Sequence, residues 1–183
     1  MIGIIILGGI CLIAIVMLIV MFTEMLNFVQ TRIPFVPTAK EDLVFMIERA
    51  GITDRDFVYD LGSGNGKVVF AMEELAGARA KGLQRGGWTQ WYAQLRSAGR
   101  RIFKGKSKTE FVTGNFFDHH WGDATVVYGY LYPFLMRSVE EKALEDCKPG
   151  TKVIIRDFPL PTLGHVDQWQ TPTGHTMYLY LIK

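Results

Sequence analysis

The chain has 183 residues, 49% of them hydrophobic, and its 20 Lys and Arg against 18 Asp and Glu leave a formal net charge of +2. This balance excludes a disordered chain and gives no sign of a broadly basic nucleic-acid binder, so no nucleic-acid partner is expected. The cysteines, Cys11 and Cys147, exclude a disulfide scaffold.

In chain order, residues 2–22 (IGIIILGGICLIAIVMLIVMF) come first and carry no charge. About 20 apolar residues, at 1.5 Å rise per residue, suffice to cross a hydrocarbon core roughly 30 Å thick. The expectation is a transmembrane anchor over 1–23 in a single-pass membrane protein. A cleaved signal peptide is the competing reading, but the segment lacks a basic n-region and a small-residue cleavage site. Arg32 and Lys40 follow the span while the N-terminus has no basic residue, which places the C-terminal domain on the cytoplasmic side.

Residues 24–37, with Pro34 and Pro37, read as a linker or lid, and 38–183 as one domain. Thr38 and Glu41 form a T-x-x-E capping box that opens a helix ended by Gly51. Phe57–Leu61 is the first strand, and the helix after it stops at Gly77. Residues 78–84 form a second strand, and Trp88 to about Phe103 an aromatic-rich helix. Glu110–Thr113 and Thr125–Leu131 are the third and fourth strands. A helix over Pro133–Asp146 and a fifth strand over Lys152–Phe158 follow. His165–Gln170 and His175–Ile182 flank a Thr-Pro-Thr-Gly turn and read as a hairpin. Alternating strands and helices imply an α/β domain with a doubly wound, mostly parallel sheet of about seven strands, and the hairpin adds antiparallel strands at its edge.

The richest segment is VYDLGSGNGKVVF at 58–70. An apolar strand runs into Asp60, then Gly62, Ser63, Gly64, Asn65 and Gly66, then a helical pattern. Glycines at alternate positions let the backbone turn sharply and lie against a ligand, and the next helix offers unpaired N–H groups. The spacing is G-x-G-x-G rather than the dinucleotide G-x-G-x-x-G, with Lys67 where the third glycine would fall. An acidic residue just before the loop repels a pyrophosphate and suits a ligand with an ammonium or sulfonium group. This disfavours a nicotinamide enzyme.

The pattern resembles the first motif of the class I S-adenosylmethionine-dependent methyltransferases. Together with IPFVPTAKEDL at 33–43, GGWTQWYAQLR at 86–96, VVYGYLYPFLM and VIIRDFPLP, it resembles the membrane-anchored protein-lysine methyltransferases that act on the ATP synthase c subunit and the adenine nucleotide carrier, and their prokaryotic relatives. The resemblance covers roughly 33–163 and implies a Rossmann-like fold, S-adenosyl-L-methionine as cofactor and a membrane-protein substrate.

It also implies site residues. Asp60 orients the loop and the methionyl end of the cofactor, and Gly62, Ser63, Gly64, Asn65 and Gly66 carry the backbone it lies on. Gln84 occupies the place where such enzymes hold an acidic residue against the ribose hydroxyls. Gly86 and Gly87 replace the Asn-Pro expected after it. An amide has one acceptor oxygen and no charge, a loss of about 1–3 kcal/mol in binding. Asn115 and Phe116 sit where the superfamily holds the adenine, although a turn asparagine and a core phenylalanine explain them equally. Tyr130 and Tyr132 stand at the rim where the acceptor arrives and are the candidate catalytic pair. Phe35, Pro37 and Thr38 are candidate lid residues.

Asp157 either approaches the site mouth, pairs with Arg156 or caps a turn. His119, His120, His165 and His175 lack metal-ligand spacing, and no metal is expected. Arg96, Arg100, Arg101, Lys104, Lys106 and Lys108 form a basic cluster that is either a solvated helix end or a contact for the lipid bilayer. The function expected is a membrane-anchored protein-lysine N-methyltransferase. The alternatives are an inactive methyltransferase-like binding module, suggested by Gln84, and an enzyme for a small-molecule or lipid acceptor. Oligomeric state is left open.

Overall fold

The computed structural model describes residues 2–31, 38–105 and 107–183, and the chain divides into two compact units, Met1–Phe35 and Val36–Lys183. Phe35 and Pro37, and with them most of the expected lid, lie outside the described residues, as does Lys106.

The first unit holds one helix, α1 (Ile2–Thr31). Among the described residues no helix is long and apolar enough to cross a membrane. This corrects the expectation of a transmembrane anchor over 1–23, and with it the single-pass topology and the cytoplasmic placement of the domain.

In the second unit the strands are β1 (Phe57–Leu61), β2 (Arg79–Gln84), β3 (Thr109–Thr113), β4 (Val126–Gly129), β5 (Lys152–Arg156), β6 (Asp167–Gln170) and β7 (Thr176–Leu181). They form one seven-stranded sheet in the order β3-β2-β1-β4-β5-β7-β6. The first five are parallel, and β7 and β6 add an antiparallel edge. This is the doubly wound sheet the strand and helix alternation requires. β1 and β4 are buried along their whole length, which is why they read as unbroken apolar runs rather than alternating ones.

The helices are α2 (Lys40–Ala50), α3 (Lys67–Ala76), α4 (Trp88–Lys104) and α5 (Met136–Asp146). One core layer packs α2 and α3 on Val58, Val126, Tyr128 and Ile154. The other gathers Tyr59, Leu61, Val127, Val153 and Ile155 with Trp121, Val139 and Ala143 of the α5 side. Gly51 and Gly77 end α2 and α3 in the left-handed region, at φ 60° and 67°. The strand boundaries agree with the sequence pattern to within a few residues. Pro133–Leu135 forms a short 3₁₀ turn ahead of α5 rather than its first turn.

The capping box is not formed. Ala39 is the N-cap of α2 and makes no side-chain cap bond, and Thr38, one residue earlier, is buried with its hydroxyl 3.2 Å from the Tyr128 hydroxyl. Burial against a tyrosine over the sheet outweighs a cap bond that water can replace at an exposed helix start.

Four side chains of the basic cluster make contacts with the fold, and that of Lys104 lies outside the described ones. Arg96 lies over the Phe70 ring at 4.3 Å. Arg100 pairs with Glu73 at 3.0 Å and with Glu74. Arg101 donates to the Thr109 carbonyl at 3.1 Å and Lys108 to the Gly77 carbonyl at 2.6 Å. These contacts pin α4 and the start of β3 to α3.

Candidate active site

The loop after β1 turns through Gly62 (φ 81°), Gly64 (φ 50°) and Gly66 (φ 77°), conformations that a side chain opposes. The Gly62 and Ser63 amides donate to the Leu83 carbonyl of β2 at 2.8 and 3.2 Å, and Gly66 N–H returns to the Ser63 carbonyl at 2.8 Å. A Cβ on Gly66 would stand 2.5 Å from the Phe111 ring of β3. The third glycine is therefore a packing requirement, since it lets α3 start against the sheet. The Asn65 side-chain oxygen accepts the Lys67 amide at 3.2 Å, which turns the chain into α3.

Asp60, in register with Gly82 of β2 and Tyr128 of β4, stands beneath this loop. Its Oδ2 and the Ser63 hydroxyl are both buried without a hydrogen-bond partner. Burial raises the Asp60 pKa to about 7. A buried carboxylate oxygen left unpaired is costly unless a ligand supplies a donor or a positive charge. The Gln84 Oε1 lies 4.0 Å from the place a Cβ would take on Gly62, so the amide hangs over the same loop. The orphaned carboxylate, the orphaned hydroxyl and the bare glycine backbone fit a ligand that is cationic at one end and hydroxyl-bearing at the other.

From Asp60 a polar layer continues across the sheet under the start of α2. The Tyr128 hydroxyl bonds Thr38, and burial, with the Asp60 charge adding to it, pushes its pKa well above the usual range. Beyond it is Arg156, at the end of β5 and 2% exposed, its Nε and Nη1 without a hydrogen-bond partner and its Nε 3.8 Å from the Asp157 carboxylate. Its guanidinium lies over the Tyr130 ring at 4.5 Å, and its Nη2 is 3.4 Å from the buried Asp42 carboxylate of α2. Burial by itself would raise the Asp42 pKa. Hydrogen bonds from Thr173, with Arg156 contributing, outweigh it and hold the group below its ordinary value.

The rim is built from β4 and β5. Tyr130 is half-buried, and its pKa is raised by burial and by the neighbouring Asp157 carboxylate. Asp157 accepts from the Thr176 amide at 3.1 Å and lies 2.9 Å from His175 Nδ1. The Tyr132 ring lies beside Phe134, 6.0 Å between centroids. Asn115 uses its side-chain oxygen to accept the Phe117 amide at 3.4 Å, and Phe116 packs on Phe117 at 4.4 Å, so both already hold the turn after β3. Tyr128 and Asp42 were not singled out from the sequence, and Arg156 only as a partner for Asp157, whose carboxylate its Nε approaches to 3.8 Å. The available signal was an arginine inside the apolar run VIIRDF, since a lone charge in a buried strand needs partners.

A family model described as the ANTKMT methyltransferase domain matches residues 60–167, from the loop carboxylate to the start of β6. The chain belongs to this family. A protein-lysine N-methyltransferase of Saccharolobus islandicus is 30% identical over 157 residues, covering 82% of this chain and 94% of the relative. A lysine N-methyltransferase of Xenopus laevis, named for the ATP synthase c subunit, is 26% identical over 133 residues, covering 70% of this chain and 55% of that protein. Among solved structures, an RNA methyltransferase of Salinibacter ruber in complex with S-adenosyl-L-homocysteine superposes with a TM-score of 0.73 at 29% identity, over 80% of this chain and 94% of that one. As a member of the family the chain is an S-adenosylmethionine-dependent methyltransferase with the Rossmann-like class I fold.

Proposed function

We propose that this chain transfers a methyl group from S-adenosylmethionine to the side-chain amine of a lysine in a protein. The observation that carries the reading is the buried Asp60 carboxylate, its Oδ2 without a hydrogen-bond partner, under a bare glycine loop, in a chain aligned along nearly the whole of a protein-lysine N-methyltransferase.

The cofactor supplies an already activated methyl group on a sulfonium. The chain's own residues bind and orient. Asp60 offers its charge to the cationic end, and Gly62, Ser63, Gly64, Asn65 and Gly66 form the cradle. Gln84 stands where a ribose hydroxyl needs an acceptor, and Asn115 and Phe116 are the adenine-side candidates. Tyr130 and Tyr132 wall the acceptor side, with Thr38 as the described part of the lid. Orientation of reactants is the main contribution expected of such a site. Exclusion of water by the aromatic rim lowers the lysine pKa and favours the neutral nucleophile.

A membrane protein is the first acceptor to try, because the relative from Xenopus laevis is named for the ATP synthase c subunit. An RNA acceptor is the second reading, favoured by the Salinibacter ruber relative. The test is incubation of the full-length chain with labelled S-adenosylmethionine and separate membrane-protein, soluble-protein and RNA fractions. Peptide mass spectrometry then locates the label. Label on lysine supports the proposal. Label confined to RNA, or no transfer with intact cofactor binding, defeats it in favour of the RNA enzyme or the inactive module respectively.

A further inference from the structure

Asp157 is the single described non-glycine residue in the left-handed region, at φ 65°. Asp tolerates this conformation better than most residues, and it persists when the surroundings over-determine it. Here the Asp157 amide donates to the Thr176 carbonyl at 2.7 Å, and its Oδ1 accepts the Thr176 amide at 3.1 Å. The carboxylate is thereby turned off β5 toward β7, where Oδ2 lies 2.9 Å from His175 Nδ1. The His175 ring in turn stands 6.3 Å, edge-on, from the Tyr130 ring.

This places an Asp–His pair at the carboxyl ends of β4 and β5, the side of an open α/β sheet where ligands bind. Tyr130 follows Gly129, which is in register with Leu61 at the end of β1, so the Tyr130 strand lies between the pair and the strand that leads into the cofactor loop. The charged and titratable groups facing it are Arg156 from β5, Tyr130 and Tyr132 after β4, and Asp42 of α2, which reaches the hairpin through Thr173.

We propose that Asp157 and His175 form the recognition site for the acceptor amine, His175 Nε2 accepting a hydrogen bond from its N–H while Asp157 fixes the tautomer and supplies negative charge behind the ring. A carboxylate on Nδ1 keeps the proton there and leaves Nε2 as an acceptor. The proposal rests on the lysine reading above and names its specificity element: an amine that donates an N–H fits, whereas a carboxylate, with no donor and repelled by Asp157, does not. In the step itself the neutral amine nitrogen forms an N–C bond as the methyl C–S bond breaks, and the electron pair of that bond stays on sulfur as a thioether. The positive charge passes to the methylammonium, which later yields a proton to water. An acceptor backed by a carboxylate stabilises the charge as it appears on nitrogen. Only neutral His175 can do this.

The test uses the full-length chain in two measurements. ¹⁵N NMR of the histidine rings, with His175 assigned by its loss in His175→Gln, should show the Nδ1–H tautomer. An Nε2–H tautomer overturns the proposal. Methylation of a lysine substrate is then compared at a single pH, with kcat and KM separated. His175→Gln, which keeps an acceptor oxygen but not the ring backed by Asp157, should lose activity chiefly as a higher KM for the lysine substrate, and should lose less than His175→Ala. His175→Ala and Asp157→Asn should each lose roughly tenfold or more, with S-adenosyl-L-homocysteine affinity unchanged. Lysine methylation with kcat and KM unchanged in His175→Ala and Asp157→Asn removes the pair's role and leaves the function standing. Failure of the wild type to methylate any lysine removes both.

Discussion

Asp60 and Tyr128 are register partners on β1 and β4, both buried, and the Asp60 charge raises the cost of ionising the Tyr128 hydroxyl. The hydroxyl is tied off by Thr38 at 3.2 Å, but the carboxylate keeps one oxygen unpaired. The centre of the site is thus held short of one positive partner, and several expectations depend on that.

Replacement of Asp60 by Asn should stabilise the cofactor-free protein at alkaline pH while weakening cofactor binding. The folded pKa, about 7, lies above the unfolded carboxylate value of about 4. A carboxyl group whose folded pKa is raised costs nothing below the unfolded value. Its cost grows as pH rises and is fully present above the folded value, at most on the order of 4 kcal/mol. Urea midpoints of wild type and Asp60→Asn should therefore coincide near pH 4 and separate by pH 8, with the variant higher.

Cofactor affinity should rise with pH up to about 7 and then level off. A cationic ligand prefers the ionised Asp60, which in the free protein is about half protonated at neutral pH. Calorimetry in two buffers of different ionisation enthalpy should register proton release on binding near pH 7 and none in Asp60→Asn.

Gln84→Glu should tighten cofactor binding by about tenfold, because a carboxylate accepts from two hydroxyls with charge assistance where the amide offers one oxygen. A titration showing equal or weaker affinity would place the ribose elsewhere than the Gln84 amide.

Gly66→Ala should destabilise the domain by about 2–4 kcal/mol through both a left-handed φ of 77° and a Cβ contact of 2.5 Å with Phe111. Gly150→Ala, at φ 91° with no heavy atom within 4 Å, should lose only the conformational part, about 1 kcal/mol. Denaturation of the two variants separates the steric cost from the backbone cost.

Thr38→Val should cost about 1–2 kcal/mol by leaving the buried Tyr128 hydroxyl without this partner. A cycle with Tyr128→Phe should be strongly non-additive if the bond is the source of the loss.

The sequence by itself determined the order of strands and helices, the parallel sheet with its antiparallel edge, and the cofactor class. Each of these is written locally: apolar runs set the buried strands, glycines set the turns, and one carboxylate before G-x-G-x-G sets the charge of the ligand. The apolar N-terminal run was legible as a helix, but its reading as a membrane span did not hold among the described residues. Only the tertiary structure decided which polar groups meet. Thr38 looked like a helix cap until Tyr128, 90 residues away, took its hydroxyl. Arg156 and Asp42 meet because β5 and α2 share one face, and His175 reaches Asp157 because the closing hairpin folds back along β5. Such pairings depend on strand order and register, which bring together residues far apart in the chain and which no local spacing records.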